Sequence, residues 1–131
     1  MASNGPQAPM ELHEFRAAAH NLLVQRRAAN QAHEEAVKKS AEAEGNYQRI
    51  KSTRYISIKH TGGSDGKAVA AAEAGERIKG DGEVVEALIA RDLARELLRV
   101  RREDIAGIDE ALSVLRRIGA WSQSLMERGV E

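Results

Sequence analysis

The residues best suited to chemistry in this sequence lie in the stretch GNYQRIKSTRYISIKHTGGSDGK, from Gly45 to Lys67. From Gly45 through Ser64 it contains no Asp or Glu, although the whole chain has a formal net charge of zero. Local clusters of cations bind phosphates, and an aromatic side chain beside them stacks on an unpaired base. The sequence therefore predicts a nucleic-acid-binding surface made of Arg49, Lys51, Arg54, Tyr55, Lys59, His60 and Lys67.

The same stretch also has a purely structural interpretation. Cations near the C-terminus of a helix are favoured by the helix dipole. Tyr47, Ile50 and Tyr55 are suited to packing between helices. On this interpretation the stretch is a bend between two helices and binds no ligand, and the sequence leaves both interpretations open.

A phosphate-binding P-loop is not indicated. That motif needs four residues between its first glycine and a Gly-Lys pair, followed by Ser or Thr. Here three residues separate Gly62 from Gly66, and Ala68 stands where the hydroxyl would be. Nucleotide hydrolysis is therefore disfavoured.

Metal binding and acid–base catalysis are not indicated by the residue spacing either. No two of the four histidines are four residues apart, and neither a His-Glu-x-x-His nor a Glu-x-x-His motif occurs. The chain has no cysteine, which removes disulfides and thiolate chemistry. We predict a non-enzymatic protein with no cofactor and no bound metal.

The elements that would position the basic stretch are long helices. High contents of Ala, Glu, Lys, Leu and Arg with helical periodicity are typical of long helices and coiled coils. Small and apolar residues recur at alternating steps of three and four for about six heptads. This first seam consists of Leu12, Phe15, Ala19, Leu22, Arg26, Ala29, His33, Ala36, Ser40, Ala43, Tyr47, Ile50 and Arg54.

A turn and two further helices are expected after the first helix. Gly62 and Gly63 suit the positive φ of a helix C-cap and turn. Ser64 or Asp65 is a suitable N-cap for the helix that follows, and Asp81 for the last one. The expected organisation is a disordered lead at 1–9 and a single helical domain at 10–131, with helix 10–60, turn 61–66, helix 66–79 and helix 82–127.

The last helix carries its own heptad track. The track runs through Leu93, Leu97, Val100, Asp104, Ile108, Ala111, Leu115, Ile118, Ser122 and Leu125. Further apolar residues lie off this track and widen the apolar stripe beyond what one hairpin buries. We therefore predict an all-α fold, a long antiparallel helical hairpin or coiled coil that pairs into a helical-bundle homo-oligomer of two or more chains. A monomeric bundle of three or four helices, with the first helix broken near Gly45, is the alternative.

A polar pair is predicted to set the register of the hairpin. With a bend near residues 62–66, Arg26 comes opposite Asp104, and each residue interrupts an apolar seam. Polar residues at matching depth in a helical seam can fix which register forms. Coincidence is an equal explanation, since the register could slip by a heptad.

Membrane insertion and secretion are not indicated. No apolar run approaches the ~18 residues of a membrane span. The first residues, MASNGPQAPMELHEF, lack the charged and apolar regions of a signal peptide. A cytoplasmic protein without a membrane partner is expected.

Residues 47–117 combine a helix end rich in Tyr, Lys and Arg, a glycine turn, an Ala-rich helix, a KGD break and a long final helix. This combination resembles small all-helical accessory proteins of tailed bacteriophages. The resemblance implies an accessory protein that serves replication or recombination in the host cytoplasm, and it transfers no catalytic residues. Two other functions stay open: a protein-binding effector that docks an amphipathic helix on a host or phage protein, and a structural assembly protein.

Overall fold

The computed structural model describes residues 11–63 and 65–129 of the chain. These residues form three α-helices and no strand: α1 (Leu12–Thr61), α2 (Ala71–Lys79) and α3 (Gly82–Gly129). α1 and α3 pack against each other as an antiparallel helical hairpin, which confirms the predicted all-α fold. α1 is unbroken through Gly45, so the alternative with a broken first helix does not form. The lead predicted at residues 1–9 lies outside the described residues.

The described residues of the predicted single domain group into two compact units. The terminal unit contains the described residues 11–32 and 101–129, and the bend unit contains the described residues between His33 and Val100. Each unit therefore contains a part of α1 and a part of α3. Within the residues described, no helix has both the length and the apolar content of a membrane span.

The seam predicted for α1 is confirmed by burial. Its residues from Phe15 to Arg54 are all partly or fully buried, whereas Leu12 at the start is 61% exposed. Ala36 and Tyr47 are the most deeply buried residues of α1. The alternating steps of three and four keep these side chains on one face of the helix, as expected for a helix that packs along a single partner.

The track predicted for α3 is wrong in its first half and at Ile118, which is exposed. Leu93 is 66% exposed and Asp104 is also exposed, because the buried residues in this part of α3 lie one position later along the chain. The true seam keeps heptad spacing but includes the small Ala94 and the charged Arg91 and Arg101. Its residues are Val84, Ala87, Arg91, Ala94, Leu98, Arg101, Ile105, Ile108, Leu112, Leu115, Gly119 and Ser122.

The connection between α1 and α2 is longer than predicted. α2 begins at Ala71 instead of residue 66, and its N-cap, Ala70, makes no side-chain capping bond. The predicted cap Asp65 instead accepts a hydrogen bond from the backbone N–H of Lys67, 3.1 Å away, within the connection. The alternative cap, Ser64, lies outside the described residues.

The glycines of the connection are needed for a different reason from the one predicted. Among the described glycines only Gly66 has a positive φ, 75°. A Cβ on Gly62 would instead clash with the carbonyl oxygen of Ile58, and one on Gly63 would lie 2.7 Å from the carbonyl oxygen of Lys67. Glycine therefore allows backbone segments to approach closely here.

The core of the bend unit is built where α2 packs on the hairpin. Its buried residues are Tyr47, Ile78, Val84 and Ala87, with Ile50, Tyr55, Ile58 and Leu88 packed against them. α2 has nine residues, and helices this short have little stability alone in water. The burial of Ala74 and Ile78, which are 0% and 5% exposed, therefore holds α2 in place.

In the terminal unit the most deeply buried side chains lie on α3. Leu112, Leu115 and Ser122 are its most deeply buried residues. The ring of Phe15 on α1 lies directly over Gly119, where a Cβ would be 2.5 Å from the ring carbon Cε2. Gly119 thus makes room for the aromatic ring that the start of α1 contributes to the seam.

Candidate nucleic-acid surface and helix-pairing stripe

The predicted basic surface is positioned by the C-terminal part of α1. Six of its residues lie in α1, and Lys67 lies in the connection to α2. Lys51, Tyr55 and Lys59 follow one another at steps of four and so share one face of the helix. His60 is exposed in the last turn of α1. The structure therefore does not present all of the predicted residues on one surface.

Arg54 is engaged within the protein. Its Nη2 and Nε donate to Oδ2 of Asp81 at 2.8 and 3.0 Å. The Asp81 side chain is 10% exposed, and its Oδ1 accepts from the backbone N–H of Val84 at 3.2 Å, which caps α3 as predicted. The hydrogen bond from Arg54 holds the pKa of Asp81 below its ordinary value; burial opposes this shift and the Val84 N–H supports it. Arg54 therefore supports the start of α3.

Two of the other predicted cations have side-chain partners nearby. Lys67 Nζ lies 3.7 Å from Oδ2 of Asp65, and Arg49 donates to Oδ1 of Asn46 at 2.6 Å. These two side-chain contacts are exposed, and such contacts exchange readily with solvent. The backbone carbonyl of Lys59 accepts from the Val69 N–H at 2.8 Å, which joins the connection to α1.

A cluster around Tyr47 joins α1 to α3 in the bend unit. The Arg91 guanidinium lies 4.5 Å from the centre of the Tyr47 ring, at cation–π distance. Glu44 receives a hydrogen bond from Arg95 at 3.0 Å and has an oxygen 3.7 Å from Nε of Arg91. The contacts of this cluster were not predicted from the sequence, because Arg91 occupies a seam position where an apolar residue is expected.

The predicted register pair of Arg26 and Asp104 is wrong in its second member. Arg26 donates to Asp109 instead, with Nε 2.6 Å from Oδ1 and Nη2 3.3 Å from Oδ2. Asp104 accepts from Arg101 on its own helix at 3.3 Å. Asp109 lies five residues beyond Asp104, about 7.5 Å along a helix.

The shift in register follows from the way the connection folds. The prediction placed the bend at 62–66, but the chain inserts α2 before α3 begins at Gly82. α3 then starts beside Arg54, as the Arg54–Asp81 pair shows. The register therefore depends on where α2 packs, which helical periodicity does not report.

A cavity of about 380 Å³ opens in the bend unit beside the core. Tyr47, Tyr55 and Leu88 contribute to its walls, and two exposed lysines, Lys51 and Lys79, also line it. The Lys51 ammonium lies 5.7 Å from the centre of the Tyr47 ring. The cavity thus brings two residues of the predicted surface, Lys51 and Tyr55, together with a lysine of α2 that the sequence analysis did not name.

α3 also exposes apolar side chains on a face that α1 does not cover. We call them the outer stripe. They form two groups with residues 98–113 between them, and within each group the steps of three or four residues are close to the heptad spacing of the buried seam. In the bend unit Leu93 is 66% exposed, and in the terminal unit Trp121 is 44% exposed. The outer stripe consists of Ile89, Leu93, Leu97, Val114, Ile118 and Trp121.

Within the part of the chain that the structure describes, no group of three or more His, Asp or Glu side chains is placed to hold a metal ion. The described surface includes the lysine-lined cavity and the outer stripe. No protein family, curated protein or solved structure matches this chain.

Proposed function

We propose that this chain is a non-enzymatic helical accessory protein that assembles with a second copy of itself through the outer stripe of α3. The observation that carries the proposal is the exposure of large apolar side chains at near-heptad spacing along one helix. Single exposed apolar residues are ordinary, but groups of them on one face of a helix are typical of an interaction surface.

The spacing of the outer stripe favours another helix as its occupant. Steps of three and four place Val114, Ile118 and Trp121 on one face of α3. Side chains at this spacing form the knobs that fit between residues of a facing helix. A flat or globular partner would not need such a repeat, whereas a second α3 presents the same repeat.

The stripe has one part in each unit: Ile89, Leu93 and Leu97 in the bend unit, and Val114, Ile118 and Trp121 in the terminal unit. A twofold contact uses the same patch on both chains, so each part can meet its counterpart on a second copy.

The wider biological assignment belongs to the same proposal. The proposed role is that of a small accessory protein of a tailed bacteriophage, acting in replication or recombination in the host cytoplasm. Only the sequence resemblance supports this role. The outer stripe supports only the assembly step.

Sedimentation equilibrium tests the proposal. The unaltered chain is expected to sediment as a dimer or larger species, and Leu93→Glu is expected to sediment as the 14.3 kDa monomer, because it places a charge in the apolar contact. Ile56→Glu is the matched control, since Ile56 is similarly exposed, at 57%, but lies on α1. This control should keep the mass of the unaltered chain, and circular dichroism should show the same helix content for all three proteins.

Two outcomes contradict the proposal. One is a monomeric mass for the unaltered chain at every concentration, which would favour the alternative of a protein-binding effector. The other is an unchanged oligomer in the Leu93→Glu variant, which would place the contact elsewhere on the chain.

A further inference from the structure

The cavity in the bend unit has walls suited to a flat aromatic group. Tyr47 and Tyr55 bring two aromatic rings to it, and Val85 and Leu88 bring aliphatic surface. Its volume, about 380 Å³, falls within the range of about 300–1,000 Å³ that is usual for ligand sites. Tyr55 lines the cavity and is only partly buried.

The charge around the cavity is positive. Lys51 and Lys79 both line it, and its described lining residues include no acid. Lys79 pairs with Glu76 at 3.2 Å, but the two side chains are 73% and 77% exposed, and such surface pairs are weak enough to be displaced. An apolar aromatic site bordered by lysines matches a ligand with a flat ring and negative charges close to it.

We infer that this cavity binds an unpaired base of single-stranded nucleic acid, with the base stacked on Tyr55 and the neighbouring phosphates on Lys51 and Lys79. Aromatic stacking combined with lysine contacts to the backbone is the usual mode of single-strand binding. Bases in a duplex are already paired and stacked, so they do not enter such a site. The inference does not depend on self-association.

This site differs from the surface predicted from the sequence. Lys51 and Tyr55 are retained, and Lys79 is added from α2. Arg54 and Lys67 are left out, because neither lines the cavity.

Fluorescence anisotropy of a labelled single-stranded oligothymidylate, titrated with the full chain at several salt concentrations, tests the inference. The double change Lys51→Gln with Lys79→Gln is expected to weaken binding about tenfold and to lower the slope of log affinity against log salt by about 1.4, because two phosphate contacts are lost. The matched control is Lys38→Gln with Lys39→Gln, two exposed lysines of the same unit that do not line the cavity. This control should keep most of the affinity.

Tyr55 gives a second, independent readout. Tyr55→Phe keeps a ring for stacking and should bind nearly as well as the unaltered chain, whereas Tyr55→Leu should lose about tenfold. Because Tyr55 also packs on the core, the folded state of each variant is checked by circular dichroism before titration. The lysine variants test the inference even if Tyr55→Leu does not fold.

Three results would overturn the inference. The first is no measurable binding of the oligothymidylate at low salt. The second is equal affinity for a duplex of the same length, which would show that no unpaired base is needed. The third is equal weakening by the cavity pair of lysine changes and the control pair.

Discussion

Replacing Ile78 by alanine is expected to lower the free energy of unfolding by about 2–5 kcal/mol, the usual cost of truncating a buried isoleucine. Ile78 is 5% exposed and belongs to the core cluster that joins α2 to the hairpin. The substitution leaves a cavity and removes the main apolar anchor of a nine-residue helix. α2 should therefore open more often than the rest of the bend unit. Urea unfolding gives the loss of stability, and amide hydrogen exchange in Ala71–Lys79 gives the local opening.

The control for this experiment is Ile56→Ala. It makes the same chemical change in the same unit, but Ile56 is 57% exposed. Its stability should change by less than about 0.5 kcal/mol. If the two variants lost equal stability, or if α2 kept its protection in Ile78→Ala, then α2 would not be held by its packing on the hairpin.

Replacing Asp81 by alanine is expected to cost roughly 0.5–2 kcal/mol near neutral pH from the lost cap of α3 alone. A further loss comes from Arg54, which then lacks the carboxylate it binds at 2.8 Å. Asp81→Asn separates the two effects, because asparagine still caps a helix but carries no charge. Asp92→Ala is the matched control, since Asp92 is 59% exposed on the same helix and should change stability little.

The Asp81 contribution should also depend on pH. Hydrogen bonding from Arg54 lowers the pKa of Asp81 in the folded protein. The stabilisation is therefore fully present above the unfolded-state pKa of about 3.9 and is lost as the pH falls through the lower folded-state pKa. The difference in unfolding free energy between the unaltered chain and Asp81→Asn should be constant at neutral pH and shrink below about pH 4. A difference that stayed constant into strong acid would mean that the Arg54 bond adds no stability.

The sequence predicts α1 well because its periodicity is uninterrupted. From Phe15 to Arg54 each seam residue is buried to some degree, including the polar Arg26 and His33. A seam that tolerates polar residues is still detectable when the spacing is regular over many turns, because the spacing determines which face of the helix each residue occupies.

Which face of α3 is buried could not be predicted in the same way. In the first half of α3 the exposed face carries the large residues Leu93 and Leu97, whereas the buried seam includes the small Ala94 and the charged Arg91. Hydrophobicity alone therefore selects the wrong face. Three of the residues selected in that way, Leu93, Leu97 and Ile118, belong to the outer stripe, which the structure leaves exposed. The predicted register was wrong for another reason, since the prediction placed the bend at residues 62–66, whereas the chain forms α2 before α3 begins at Gly82.

The candidate site was predicted only in part. Lys51 and Tyr55 were found because they lie in a stretch without acids. Lys79 was missed because it reaches the cavity from α2, far away along the sequence. The pairing of Arg54 with Asp81 joins residues of two helices, and contacts of this kind cannot be inferred from the composition of one segment.

The most direct test of the central claim, that the outer stripe of α3 meets a second copy, is the emission of Trp121 as a function of protein concentration. It is the single tryptophan of the chain, and its side chain belongs to the outer stripe and is 44% exposed. In concentrated samples the emission maximum should lie at shorter wavelength, because the partner buries the indole. On dilution it should move to longer wavelength, and the mass measured by sedimentation should fall over the same concentrations. In Ile118→Glu the emission maximum should stay at long wavelength at all concentrations. An emission maximum that does not change with concentration, while the mass does, would contradict the account.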